Sequence, residues 1–191
     1  MNRALLRSLN APLLILMALF AVAIQSSLFQ GRIGTLLQPD FIIIAVVWCA
    51  LRRPFIEGSI LTLLFGELVE IHSSAPQGVL MLSYVGVFLL TRACLKLFVI
   101  RGRRSWVALS FIGAFSWKLL FLCTLYLLDL SENQWRHTLA YIIPNTLTTG
   151  LCSWWAMPWL ERFDYWTWKS ERVRQAIEGD LLLADDDEDW S

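Results

Sequence analysis

Glu67, Glu70 and Lys118 stand well inside long apolar runs. Glu67 and Glu70 are three residues apart, so on a helix they share a face. Lys118 lies in a different run with no neighbour of opposite charge. A charge at the centre of a membrane helix costs ~2.5–3.5 kcal/mol even on lenient scales, so it is kept where it is paired or used. The chemistry open to these groups is therefore charge pairing. Measured from Phe55 and Trp106, where their runs begin, Glu67 and Lys118 both fall about 18 Å along a helix at ~1.5 Å per residue. Equal depth predicts a Lys118–Glu67 pair inside a bundle, with Glu70 as a further carboxylate nearer the far face. Such a pair either fixes helix register or serves binding or signalling.

Other residues suggest packing and recognition. Asp40 opens an apolar run, and Gly78 closes the turn Pro76-Gln77-Gly78. Asn145 follows Pro144 and precedes Thr146, Thr148 and Thr149, which predicts a kinked, polar stretch facing other helices. Gly58, Thr62 and Gly66 recur every four residues, a spacing that lets helices approach closely. Catalysis finds no foothold. There is no HExxH, no GxSxG and no phosphate-binding loop, and the adjacency of His72, Ser73 and Ser74 is not a triad. Cys49, Cys94, Cys123 and Cys152 all lie in apolar runs without metal-ligand spacing and read as small buried hydrophobes. No enzyme activity, metal or cofactor is expected.

The elements that must position these residues are membrane-spanning helices. The 191 residues are 57% hydrophobic and 17% charged, and apolar stretches approaching the ~20 residues needed to cross a bilayer recur along most of the chain. Six runs are expected: Pro12 to Phe29, Asp40 to Leu51, Phe55 to Ile71, Pro76 or Val79 to Ile100, Trp106 to Leu130, and Thr138 to Leu160. Period-two alternation is absent, so the fold class is all-α, a polytopic bundle of six transmembrane helices rather than a β-barrel. Arginine-rich links alternate with arginine-poor ones. With both termini in the cytosol, Arg3, Arg7, Arg52, Arg53, Arg101, Arg103, Arg104, Arg162, Lys169, Arg172 and Arg174 fall inside, and only Arg32 and Arg136 outside. Ala21-Val22-Ala23 leaves open a cleaved signal peptide for the first run.

Residues 1–162 form the expected transmembrane domain, and 163–191 a cytoplasmic tail. In that tail Tyr165, Trp166 and Trp168, with Trp159 just before it, suit the headgroup layer, and Asp185 to Asp189 form a solvated acidic end. That acidic end, against basic inner links, argues against nucleic acid as a partner. The outer links are short, so recognition would take place at or within the membrane.

Gln38-Pro39-Asp40 before an apolar run, Arg52-Arg53, Gly66-Glu67-Leu68-Val69-Glu70 and Pro76-Gln77-Gly78 together resemble the rod shape-determining MreD family over Leu36 to Phe98. Asn145 falls where that family often has an Asn in its last span. The chain departs from the family pattern at Glu70, usually Asp, at Gln77, usually Leu, and in its acidic tail. The resemblance implies a non-catalytic component of the bacterial inner membrane. It would bind MreC and, with it, MreB and the peptidoglycan polymerase and transpeptidase of side-wall growth. It also implies a fold akin to the six-helix substrate-binding subunits of energy-coupling-factor transporters. The alternative function is therefore a small-molecule-binding subunit with a cavity near Glu67, Glu70 and the His72 to Gly78 link. An intramembrane enzyme ranks last. Asp40, Glu70 and Gly78 are the expected contact region for MreC, with Glu67, Lys118 and Asn145 as the remaining intramembrane polar candidates.

Overall fold

The computed structural model describes residues 9–28, 37–73, 75–97, 103–129 and 134–167. Six α-helices run through them: α1 (Asn10–Leu28), α2 (Phe41–Arg52), α3 (Phe55–Ile71), α4 (Val79–Leu97), α5 (Arg103–Leu127) and α6 (Gln134–Trp166). No strand occurs among the described residues. Three helices are long and apolar enough to cross a membrane: α1, α4 and, from Arg104, α5. The expected leading and trailing basic residues, the Arg101 link and the acidic end lie outside the described residues.

The shortest helix is at the centre. α2 has 12 residues, about 18 Å of helix, yet Ile42, Ile43, Ile44, Val46, Val47, Trp48, Cys49 and Ala50 are all buried. A helix apolar on every side is one that must be surrounded, and α2 packs against each of the other helices. Both of its ends are written locally. Asp40 is its N-cap, accepting the Ile43 N–H at 3.1 Å. At the other end Pro54 forces the preceding Arg53 out of the helical region, to φ −111° and ψ 148°. The Arg53 N–H still reaches the Cys49 carbonyl at 2.9 Å, and Pro54 opens α3 directly.

Small residues set how closely the other helices approach. On α3, Gly58, Thr62 and Gly66 face inward as their spacing suggests. A Cβ at Gly58 would lie 2.8 Å from the Phe88 ring, and one at Gly66 would lie 2.9 Å from the Met81 Cα on α4. Gly113 brings α5 against Val47 of α2 in the same way, where a Cβ would stand 2.8 Å from Cγ2. α6 runs for 33 residues with Pro144 and Pro158 inside it. It continues past the expected boundary at Arg162, and Asp164 and Thr167 are buried in the bundle.

One end of the bundle gathers the starts of α1, α3 and α5 and the ends of α2, α4 and α6. Asn10, Glu57 and Asp164 all bond Arg53. The Arg52 guanidinium sits 5.0 Å over the Trp106 ring, and Arg92 of α4 donates to the Arg53 carbonyl. Successive helices therefore alternate in direction, and Arg52, Arg53, Arg92, Lys96, Arg104 and Arg162 belong to the same end.

The Gly66 contact is with backbone, which cannot rotate away. Gly66→Val should lower stability by about 2 kcal/mol or more, whereas Leu64→Val on the exposed side of the same helix should change it little. Thermal unfolding in detergent, followed by circular dichroism, measures the difference.

Candidate functional site

Two buried polar clusters lie at opposite ends of α2. The first is built on Asp40, which is 7% exposed. Its carboxylate caps α2 through Oδ1 and accepts the Tyr84 hydroxyl of α4 on Oδ2 at 3.3 Å. Its own N–H donates to Thr149 Oγ1 of α6 at 2.9 Å. The Thr149 hydroxyl in turn donates to the Asn145 carbonyl at 2.8 Å, and the Asn145 side-chain amide donates to the Gln38 carbonyl. The helix-breaking residues before α2 are thereby stitched to the polar turn after Pro144.

Lys118 enters the same cluster from α5. Its ammonium sits 4.2 Å over the Trp117 ring, and Trp117 in turn packs on Tyr84 with ring centroids 5.5 Å apart. Through Trp117 and Tyr84 it borders the Asp40 carboxylate. The expected pairing of Lys118 with Glu67 and Glu70 is therefore corrected. Equal depth on two helices does not make them face each other, and Glu67 is exposed on the far side of α3.

Glu70 is turned back on its own chain. Its carboxylate accepts the N–H of Gly78 and, at 3.2 Å, that of Met81, supplying the cap that the first turn of α4 otherwise lacks. Gly78 has φ +87°, with nothing within 4 Å of where a Cβ would stand. Backbone conformation, not space, makes that position a glycine. The Gly66 to Glu70 and Pro76 to Gly78 segments thus form one structural unit. Of the expected MreC-contact region, Asp40 is enclosed by helices, and Glu70 and Gly78 bond each other.

The second cluster is one the sequence reading missed. Arg53 was expected among the solvated charges of a link, but its side chain is 0% exposed. Nη2 donates to Asp164 Oδ1 at 2.5 Å and to Asn10 Oδ1 at 2.8 Å, and Nη1 reaches Glu57 Oε1 at 3.2 Å. The guanidinium lies 4.8 Å over the Trp48 ring. Asn10 Nδ2 donates to Asp164 Oδ1 at 3.0 Å and to Thr167 Oγ1 at 2.6 Å. Arg52, its neighbour, takes the exposed role and pairs with Glu161. The only signal in the sequence is an Asn and an Asp at the margins of apolar runs, and nothing in their spacing links them.

Chemically, both clusters are paired charges and caps, though Arg53 Nε and the indole N–H groups of Trp48 and Trp117 are buried without a hydrogen-bond partner among the described residues. Among the described residues no group of three His, Cys, Asp or Glu side chains could hold a metal ion. A groove of about 760 Å³ runs between α1 and α6 over α2, lined by Met17, Ala21, Phe41, Ala45, Trp155 and Trp159 among other apolar residues. No family model, no curated protein and no solved structure matches the chain.

Arg53 gives a sharp test of what the inner cluster contributes. Arg53→Met leaves Asp164 buried without its cation, so it should cost about 3–5 kcal/mol. Arg53→Met with Asp164→Leu should recover much of that loss. Unfolding of the purified variants in a mixed-micelle titration measures both, and equal instability of single and double variants would refute a charge-based account.

Proposed function

We propose that this chain is a non-catalytic component of the bacterial inner membrane belonging to the rod shape-determining MreD family. In this reading it crosses the bilayer six times with both termini in the cytosol. It binds MreC, and through that complex couples the MreB cytoskeleton to the peptidoglycan polymerase and transpeptidase of cell elongation. The observation that carries the reading is where the polar groups go. Asp40, Glu70, Asn145, Arg53 and Asp164 are used to join helix to helix, which leaves outward surfaces that are largely apolar. A body of this kind acts by contact with neighbours in the membrane.

Orientation is supported by the grouping of basic residues. Arg52, Lys96, Arg104 and Arg162 share the Arg53 end, which is cytosolic by the positive-inside rule. Retention of α1 is supported by Asn10, whose amide completes the Arg53 cluster and would be lost with a cleaved signal peptide. The transporter-subunit alternative is weaker. Glu67 faces away from the bundle, Glu70 is committed to its own backbone, and the groove has none of the convergent polar groups that orient a small polar ligand.

Depletion of the protein in its rod-shaped host should give round cells, and the solubilised protein should co-purify with MreC. Unchanged cell shape together with a tightly retained small molecule would favour the transporter subunit instead.

A further inference from the structure

The three carboxylates of α3 have different fates. Glu57 bonds Arg53, and Glu70 caps α4. Among the described residues Glu67 has neither a hydrogen-bond nor an ion-pair partner, and it is exposed. It sits in a stripe of outward side chains at helical spacing: Ile56, Ile60, Leu63, Leu64 and Ile71, which are 73%, 52%, 42%, 43% and 71% exposed. The opposite side of α3, with Gly58, Leu61, Thr62, Phe65 and Gly66, is the side that packs on the bundle.

If α3 spans the bilayer, as the function proposed above requires, this stripe meets hydrocarbon. Glu67 lies one turn before Ile71, about 6 Å inside the helix end. A helix of 17 residues is already shorter than the ~30 Å hydrocarbon layer, so that end does not stand clear of it. A carboxylate placed there needs a donor, and none of the described residues supplies one.

We propose that the outward face of α3 docks a transmembrane helix of another protein, apolar along its contact stripe except for one Lys or Arg at the height of Glu67. Among the described residues, charge complementarity selects that partner over a second copy of this chain. The described cation nearest the middle of the bundle, Lys118, is engaged by Trp117. The other described arginine and lysine side chains belong to the Arg53 end, away from Glu67.

The test uses the full-length protein in phosphatidylcholine vesicles. The probes are fluorescent leucine–alanine peptides of about 20 residues, one carrying a single Lys a turn from one end and one wholly apolar. Energy transfer to labelled protein should show the Lys peptide binding about threefold to tenfold more tightly. Glu67→Gln should abolish that preference, and Glu67→Asp should keep it. Equal binding of both peptides, or a preference that survives Glu67→Gln, overturns the proposal. So does energy transfer between two labelled copies that disappears in Glu67→Gln, which would assign the face to self-association. Loss of the preference when phosphatidylethanolamine is added would assign Glu67 to lipid amines and overturn it as well. Cell shape and MreC co-purification do not depend on these peptides, so failure here is distinguishable from failure of the proposed function.

Discussion

A guanidinium removed from water must find its hydrogen-bond partners inside the protein, because leaving it unpaired costs several kcal/mol. Arg53 meets most of that demand through Nη1 and Nη2, with groups from three other helices. Asn10 comes from the start of α1, Glu57 from the first turn of α3 and Asp164 from the last turns of α6. The backbone break that frees the Arg53 carbonyl for Arg92 is the same Arg53-Pro54 step that ends α2. One residue therefore ends the central helix and gathers its neighbours. The cluster's geometry explains why α6 continues beyond its apolar stretch: Asp164 has to reach Arg53.

At the other end Asp40 plays a matching part with the sign reversed. It caps the first turn of α2, where a carboxylate also complements the helix dipole, and it holds Tyr84 and Thr149 by hydrogen bonds. The central helix is held at one end by a buried acid and at the other by a buried base. Between them its surface is aliphatic and closely packed, so burial and small-residue contacts supply the remaining cohesion. This division leaves little polar chemistry facing outward.

Much of this was legible beforehand, though unevenly. Helix identity was readable because runs such as Phe41 to Arg52 carry apolar residues on every side, and the breaks at Asp40 and Pro54 obey local rules of capping and ring sterics. The inward face of α3 was readable from Gly58, Thr62 and Gly66. Partners were not. Lys118 and Glu67 match in depth, but the rotation of each helix about its axis decides which side chain meets which, and that rotation depends on packing. Arg52 and Arg53 look alike in sequence. One step of about 100° around the helix sends the first to the surface with Glu161 and the second into the interior with Asp164.

The sequence by itself determined an all-helical fold, the breaks at either end of α2, and the concentration of basic residues at one end. These follow from hydropathy, capping and proline, which act within a few residues. Only the tertiary structure decided that Glu67 lies on the far side of α3 from Lys118, that Arg53 is a core residue, and that Glu70 closes on Gly78. Those outcomes depend on how the six helices pack against one another and not on any one of them.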